Sequence, residues 1–412
     1  MKIHKGYKVE ISPTEDQKKL FEKAFGTSRF IYNNLLDTCI SYYTEHGKSY
    51  PRKELKRHLT TIKQEYRDWM YDVPKSVHQN SFDNLMTSYK NFYDGLKKKK
   101  KDVAQFPVFK SKHRSNKSFT MDNDRFKIKE HHIWLSVFGN IKMKEINYIP
   151  KKNVKYLSAT ISYKGGKYFC SVNVQKYKSN VKDHTDEVIG IDLGVKTLLT
   201  CSNGLVFENP KHYKKKLKKL KRIQRKFSRA TKQKKDGYTV YSKRKEKLKL
   251  KLQKQHYMIS SLRKDNLHKI TTSLVKTKPK TIVIEDLNVK GMMKNHNLAQ
   301  HIADASFGEF RRQLEYKTKL FNIELVLVNR FFPSSKLCNS CGCIKEDLKL
   351  SDRIYRCDCG FVMDRDLNAS LNLRDYVLND RLSYPTVGHT ESHARGLETN
   401  SLQEARIKIN SF

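Results

Sequence analysis

The cysteines of this chain are concentrated near its C-terminal end. Five of the eight lie between Cys338 and Cys359, as the pairs Cys338-x₂-Cys341 and Cys357-x-Cys359 with Cys343 between them, and a glycine follows each pair. Two such pairs on glycine turns, 15 residues apart, predict a tetrahedral zinc ribbon with no open coordination position. We therefore predict a structural Zn²⁺ site formed by Cys338, Cys341, Cys357 and Cys359, with Cys343 as a reserve ligand.

The other cysteines and the hydropathy pattern indicate a reducing compartment. Cys39, Cys170 and Cys201 are isolated in the sequence. The N-terminus lacks the apolar segment of a signal peptide, and no run approaches the ~18 apolar residues of a membrane-spanning helix. Clustered cysteines in such a chain favour metal ligation over disulfides. We expect a cytoplasmic protein with no membrane partner.

The charge of the chain predicts a nucleic-acid partner. Its 412 residues contain 84 Lys+Arg against 42 Asp+Glu, a formal net charge of +42. Such an excess repels itself in a compact fold unless an anion neutralises it. The charge is densest over 211–254, where 21 basic and two acidic residues accompany apolar residues at helical spacing. We predict a basic helical hairpin over 211–265; a purely structural coiled coil is the alternative, but the scarcity of acidic residues favours phosphate contact as well.

Three carboxylates lie at the ends of predicted strands or helices. Asp192 is part of the apolar run GIDLG, Glu285 ends the run TIVIE, and Asp366 opens a predicted helix. An RNase H-like sheet supplies this combination of strand and helix carboxylates. If they converge, they can hold two divalent ions for phosphodiester hydrolysis, with Mg²⁺ or Mn²⁺ favoured by oxygen ligands. Each residue alone also has a simpler interpretation: a turn or cap residue for Asp192, a strand-edge residue for Glu285, and a cap of the following helix for Asp364 or Asp366.

Apolar periodicity and composition divide the remainder of the chain. The predicted elements are a strand over 1–10, helices over 14–46 and 52–96 with a break at Pro74, β structure over 104–180 with a hairpin at Gly165-Gly166, and a helix over 306–321. Five lysines at 97–101 mark an exposed boundary. The polar residues from 380 onward predict a disordered tail.

Taken together, these motifs resemble the TnpB family, the OrfB-type proteins of insertion sequences, which are similar to type V CRISPR nucleases. The order of GIDLGVKTL, IVIEDLNVKGM, the cysteine ribbon and DRDLNAS carries the resemblance, and FPVFKSK over 106–112 adds to it. It covers nearly the whole chain. CDCG in place of CxxCG and NAS in place of NAA are small departures from the family pattern.

The resemblance implies an α+β multidomain fold class. It comprises an RNase H-like (RuvC-type) nuclease domain with an inserted zinc ribbon, and a β-barrel wedge domain with an inserted helical recognition domain. The implied boundaries are 1–13 and 101–185 for the wedge, 14–100 for the recognition domain, 186–332 and 363–379 for the nuclease domain, 333–362 for the zinc ribbon, and 380–412 for the tail.

The resemblance also implies an RNA-guided DNA endonuclease of a bacterial or archaeal insertion sequence, associated with the nucleoid. A guide RNA encoded at the element's end and double-stranded target DNA would be its partners, and a monomer is favoured. Asp192, Glu285 and Asp366 would be the catalytic residues and the Mg²⁺ ligands of a single RuvC-like site. Base pairing would then supply sequence choice, while the protein binds backbones and reads a short adjacent motif.

The nucleic-acid contacts expected on this basis are Lys75, Ser76 and Gln79 for the adjacent motif, Thr120 as a weaker candidate, and Lys110 and Lys112 for phosphates. Phe106, Phe109 and Phe119 interleave with basic residues. These aromatic rings either stack on bases or anchor a basic loop to the barrel, and the sequence favours neither.

Three other functions fit parts of the sequence. A nuclease-silent RNA-guided repressor is expected to lack a carboxylate of the triad, whereas all three are present. A transposase or transposition accessory protein is favoured by a His-x-His metal motif with a Tyr or Ser nucleophile, and we find no such motif. A compact CRISPR effector differs in its neighbouring genes rather than in its sequence.

Overall fold

The computed structural model describes residues 2–97, 105–112, 115–177, 184–230, 232–235, 238–349 and 351–379, with the backbone alone described for 232–235 and 238–241. The chain divides into two compact units, whose described residues are 2–177 and 184–379. The tail predicted over 380–412 and all but the first lysine of the run at 97–101 lie outside the described residues.

A seven-stranded antiparallel sheet frames the first unit. The elements of this unit are β1 (Lys2–Ser12), α1 (Glu15–His46), α2 (Arg52–Glu65), α3 (Arg67–Met70), α4 (Lys75–Lys97), β2 (Lys117–Asp122), β3 (Phe126–Ile128), β4 (His132–Leu135), β5 (Gly139–Met143), β6 (Val154–Lys164) and β7 (Lys167–Tyr177). The strand order is β2-β6-β7-β1-β5-β4-β3. The hairpin predicted at Gly165-Gly166 is confirmed, because β6 and β7 pair across these glycines and both have positive φ.

The sheet of the first unit curls around a single core. Inward side chains from all seven strands join one buried cluster. Phe119 on the end strand β2 stacks on Phe138, which lies between β4 and β5, with ring centroids 5.3 Å apart. The N-terminal part of α1 inserts Phe21 into the same cluster. The helix begins at a capping box formed by Thr14 and Gln17.

The second unit is built on a mixed five-stranded sheet. Its elements are β8 (Val188–Leu193), β9 (Thr197–Cys201), β10 (Val206–Glu208), α5 (His212–Arg229), β11 (Lys232–Lys235), β12 (Tyr238–Tyr241), α6 (Lys243–Lys276), β13 (Thr281–Glu285), α7 (Val289–Met292), α8 (His296–Ala305), α9 (Phe307–Phe321), β14 (Glu324–Val328), β15 (Ile354–Arg356), β16 (Val362–Asp364) and α10 (Arg365–Leu378). The order is β10-β9-β8-β13-β14; β8, β13 and β14 are parallel, and β9 and β10 are antiparallel.

Both faces of the parallel part of this sheet are covered. Ile282 and Ile284 of β13 belong to a core shared with α6, α8 and α9, whereas Val283 packs with Val328 and with Leu373 of α10. Strands buried on two faces have nearly continuous apolar sequences, which explains the run TIVI.

The basic hairpin consists of α5 and α6, joined by the paired strands β11 and β12. The prediction that it ends at residue 265 is wrong, because α6 continues to Lys276 with Leu267 and Leu274 still buried at helical spacing. The buried carboxylate of Asp304 in α8 accepts hydrogen bonds from the backbone nitrogen of Tyr213, at 2.9 and 3.1 Å, and so caps α5, whose own N-cap residue has no capping side chain.

Candidate metal centres

Asp192 and Glu285 lie at the carboxyl ends of two neighbouring parallel strands. The register pairs Ile191 of β8 with Ile284 of β13, so that the two acidic residues are the next positions on their strands. Parallel strands end at the same edge of a sheet, where α/β folds place their sites. The structure therefore brings these two carboxylates together at one sheet edge.

Asp366 reaches the same edge because α10 packs directly on β8. A β-carbon on Gly190 would lie 2.1 Å from the carbonyl oxygen of Ser370, so the helix backbone touches the strand at this point. Asp366 is one turn before Ser370. Asp366 is not the N-cap of α10. The N-cap is Asp364, whose carboxylate accepts hydrogen bonds from the backbone nitrogens of Asp366 and Leu367, both at 3.0 Å.

The electrostatics of the site also reflect this convergence. Burial, followed by the negative charges of Glu285 and Asp366, raises the pKa of Asp192 to about 8, against the opposing charge of Arg365. Burial likewise raises the pKa of Glu285, against a hydrogen bond from the Ser334 hydroxyl. The Arg365 guanidinium lies 3.4 Å from the carboxylate of Asp366. Arg353 lies 4.0 Å from the same carboxylate, so Asp366 has two positively charged neighbours. The raised pKa values of Asp192 and Glu285 indicate that the negative charge of these two groups is incompletely balanced, which favours a bound cation.

The three carboxylates do not form a tight single-ion cluster. Within the described residues, the cysteines are the metal-ligand set whose atoms all lie within 4.8 Å of one another, and no carboxylate belongs to such a set. A pair of ions about 3.5–4 Å apart requires its ligands to spread around both of them. The donor set of oxygen atoms alone suits Mg²⁺ or Mn²⁺.

The four predicted cysteines form one compact cluster. The Sγ atoms of Cys338 and Cys359 are 3.8 Å apart, and those of Cys341 and Cys357 are 3.6 Å apart. Tetrahedral Zn–S bonds of about 2.3 Å give sulfur–sulfur separations of about 3.8 Å, so these two distances match those of a tetrahedral tetrathiolate site. The reserve ligand Cys343 is exposed and lies outside this set.

A polar clasp joins the cysteine segment to α10, and the sequence reasoning missed it. The buried amides of Asn368 and Asn372 both donate to the carbonyl of Leu337 at 2.7 Å, and Asn372 also donates to the carbonyl of Ser334 at 2.8 Å. Asn339 returns a hydrogen bond to the side chain of Asn372 at 3.0 Å. The available signal was the i, i+4 spacing of two asparagines after Asp366. The clasp thereby connects the first cysteine pair, Ser334 and the helix of Asp366.

Comparison with known proteins identifies the family. Family models described as "Probable transposase", "Cas12f1-like, TNB domain" and "Helix-turn-helix domain" match residues 170–296, 307–373 and 1–48. A Streptomyces pristinaespiralis protein named "Putative RNA-guided DNA endonuclease" is 31% identical over 376 residues, which cover 90% of this chain and 89% of that protein. The chain belongs to the TnpB family.

Other relatives agree with this membership, and one solved structure shares the fold. The Escherichia coli K12 protein named "Putative RNA-guided DNA endonuclease InsQ" is 28% identical, covering 90% of this chain and 92% of that protein. "TnpB-like protein L770" of Acanthamoeba polyphaga mimivirus is 28% identical, covering 89% and 72%. A cryo-EM structure of the Cas12f1-sgRNA-target DNA complex has a TM-score of 0.54 at 13% identity, covering 90% of this chain and 99% of that one. The TnpB-family chain thus shares a mixed α/β multidomain fold with Cas12f1.

The predicted motif-reading residues of this TnpB-family chain lie at the start of α4. Lys75 is exposed and Gln79 is half-buried, with its amide 3.1 Å from Asp83. Ser76 is only 3% exposed and its hydroxyl points to the sulfur of Met121, because this position belongs to the face of α4 that packs on β2. Its placement offers no hydroxyl to a base, which the sequence reasoning did not anticipate.

The remaining nucleic-acid candidates differ in accessibility. Lys112 is exposed, whereas the ammonium of Lys110 lies 3.5 Å from the centroid of the Tyr32 ring. Thr120 is half-buried and its hydroxyl lies 3.0 Å from that of Thr160. Of the three phenylalanines, Phe119 is in the barrel-like core and Phe106 packs on Tyr89 and Phe92, while Phe109 is exposed.

No described helix has both the length and the apolar character needed to cross a membrane.

Proposed function

We propose that this chain is an RNA-guided DNA endonuclease of an insertion sequence. It hydrolyses DNA beside a short adjacent motif at one RuvC-like site formed by Asp192, Glu285 and Asp366. The observation that carries the proposal is the meeting of the two strand ends with the start of α10, enforced by the contact of Gly190 with Ser370. The names of the relatives that span nearly the full chain support the same activity.

In this proposal the three carboxylates hold divalent metal ions, Mg²⁺ or Mn²⁺. The oxygen donors and the raised pKa of Asp192 fit a cation that allows all three groups to ionise together. When bound, such ions supply Lewis-acid activation and charge stabilisation for phosphodiester hydrolysis. Ser334 orients Glu285 through its hydroxyl, and Arg365 orients Asp366.

The cysteine cluster is proposed to hold a structural Zn²⁺. Four thiolates complete a tetrahedral shell, so this ion has no position for a reactant. Its role is mechanical: it fixes the segment that the asparagine clasp attaches to α10. Loss of the ion would free Ser334 and the first turn of α10 together.

The nucleic acids are proposed to bind through charge and shape. The wedge is assigned to 1–13 and 101–185 and the helical recognition domain to 14–100, whose Lys75 and Gln79 are proposed to contact the adjacent motif. The basic hairpin of α5 and α6 follows phosphate backbones, and Lys110 and Lys112 add further contacts. The nuclease domain is assigned to 186–332 and 363–379, and the zinc ribbon to 333–362. The protein is proposed to act in the cytoplasm of a bacterium or archaeon.

The testing experiment identifies the guide and the activity in one sequence of steps. The protein is purified from cells that carry its own genomic flanks, and the bound RNA is sequenced. That RNA is reprogrammed against a plasmid library with randomised flanking bases, with and without Mg²⁺. Mg²⁺-dependent loss of plasmids that share one flanking motif supports the proposal. Motif-dependent binding without cleavage would indicate an RNA-guided repressor, and absence of a discrete RNA would contradict guided action.

A further inference from the structure

Phe331 presents its ring to solvent beside the carboxylate site. It is 83% exposed, the largest exposure among the large hydrophobic side chains of the described residues. Burying a phenylalanine is worth about 1.5–3 kcal/mol relative to leaving it exposed, so a fully exposed ring forgoes stabilisation. Nothing in the catalytic proposal above uses this ring.

The exposure results from a fixed backbone rather than from a loose loop. The side-chain oxygen of Asn329 accepts from the backbone nitrogen of Phe331 at 3.0 Å, and the carbonyl of Asn329 accepts from the nitrogen of Phe332, also at 3.0 Å. The next residue, Phe332, faces inward and packs on Tyr376 of α10 with ring centroids 5.1 Å apart. With Phe332 anchored inward, the turn directs the adjacent ring of Phe331 outward.

On both sides of Phe331 in the chain, a nearby residue contacts the candidate metal site or the residue next to it. Ser334, which donates to Glu285, is three residues further along the chain, a distance that cannot exceed about 11 Å between Cα atoms. On the other side, Arg330 pairs with Asp286, the residue after Glu285, at 2.7 Å. The segment therefore offers an exposed aromatic face on a hydrogen-bonded turn, with a guanidinium beside Asp286, the residue after Glu285.

We propose that Phe331 is a stacking platform for a nucleobase of the DNA strand that enters the carboxylate site. An aromatic face binds any base, which suits a site where guide pairing rather than the protein selects the sequence. Arg330 supplies positive charge for the neighbouring phosphate. This inference rests on the proposed function, and it assigns the substrate-contacting surface of that site to residues 330–331.

The test combines a local optical signal with single-turnover cleavage. In Phe331→Trp, the new indole reports stacking by fluorescence quenching when an oligothymidine of about 12 nucleotides is added with Ca²⁺ in place of Mg²⁺. Wild type, with its two native tryptophans, is the background. An oligonucleotide of the same length with abasic residues keeps the phosphates and removes the bases. We expect quenching by the first oligonucleotide and little quenching by the second.

In guided cleavage, Phe331→Ala is expected to lower the single-turnover rate by about 5- to 150-fold, the range for loss of one stacked base. Phe331→Trp should retain the rate, and Phe331→Leu should behave like alanine. One abasic position near the cut should slow wild type and add no further loss to Phe331→Ala. Tyr177→Ala, which removes an aromatic side chain that is 71% exposed in the first unit, is the matched control and should leave the rate unchanged.

The outcomes separate the two proposals. If wild type cleaves, and Phe331→Ala cleaves equally fast without any base-dependent quenching of Phe331→Trp, the stacking platform is contradicted and the nuclease stands. If wild type does not cleave but quenching depends on bases, the platform stands and the nuclease function is contradicted. Because the ring is exposed, thermal unfolding of Phe331→Ala should match wild type, so a loss of rate is not a loss of fold.

Discussion

Gly190 lies in direct contact with Ser370: a β-carbon at residue 190 would approach the carbonyl oxygen of residue 370 to 2.1 Å and the backbone nitrogen of Arg374 to 2.5 Å. Backbone atoms of a packed helix cannot give way as a flexible side chain can. The close approach of β8 and α10, and with it the meeting of Asp192 and Asp366, thus depends on the absence of a side chain at this position.

We predict that Gly190→Ala lowers the free energy of unfolding by about 3 kcal/mol and abolishes cleavage, because α10 must move away from the sheet. Urea unfolding and plasmid cleavage measure the two effects. Gly308→Ala is the matched control: nothing lies within 4 Å of its added methyl, and alanine in α9 should be neutral or stabilising by about 0.5–1 kcal/mol. Equal behaviour of the two variants would contradict the packing explanation.

The cysteine cluster predicts which thiols hold the metal. Cys341→Ser should lose bound zinc and unfold at a lower temperature, since the ligand set is then incomplete. Cys343→Ser should keep one zinc per chain, because Cys343 lies outside the set. Metal analysis by mass spectrometry and thermal unfolding decide the point. Loss of zinc from Cys343→Ser, with retention in Cys341→Ser, would show that the proposed ligand assignment is wrong.

Ser334 is predicted to position Glu285. Ser334→Ala removes a hydrogen bond to a charged acceptor, worth about 1.5–3 kcal/mol, so single-turnover cleavage should fall about 10- to 100-fold. Because Glu285 would then be less well oriented, the Mg²⁺ concentration for half-maximal rate should rise. Ser335→Ala, at the neighbouring serine, is the control. If Ser334→Ala loses stability but keeps the Mg²⁺ dependence of wild type, the hydroxyl of Ser334 has only a structural role.

The basic face of α5 is predicted to bind phosphates. Lys218, Arg222 and Arg225 are exposed and share one face by their i, i+4, i+7 spacing. Replacing all three by glutamine should weaken RNA binding and reduce the slope of log affinity against log salt by about 2–3, since each lost phosphate contact removes about 0.7–0.9. Affinity measured from low to high salt gives the slope. An unchanged slope would indicate that α5 has a purely structural role.

The parts of this structure that sequence could predict are those with local or periodic signals. The run GIDLG predicts the strand that holds Asp192, the apolar spacing after Thr14 predicts α1, and the glycine-flanked cysteine pairs predict which four cysteines cluster. Each depends on residues close together in the chain.

The parts that sequence could not predict depend on distant partners. The clasp of Asn372 with Ser334 joins residues 38 positions apart, and a buried asparagine in a helix has no pattern that names its acceptor. The burial of Ser76 follows from the rotation of α4 against β2, which one small polar residue does not reveal. The outward ring of Phe331 follows from the inward anchoring of Phe332.

The central claim is that Asp192, with its two partner carboxylates, performs guided DNA cleavage, and the most direct measurement compares wild type with Asp192→Ala on the same reprogrammed target plasmid. Asp265→Ala removes an exposed carboxylate of the same unit and serves as the control. We predict that Asp192→Ala binds the guide RNA and target DNA normally but does not cut, whereas Asp265→Ala cuts like wild type. Cleavage by Asp192→Ala at the wild-type rate would contradict the assignment of the site.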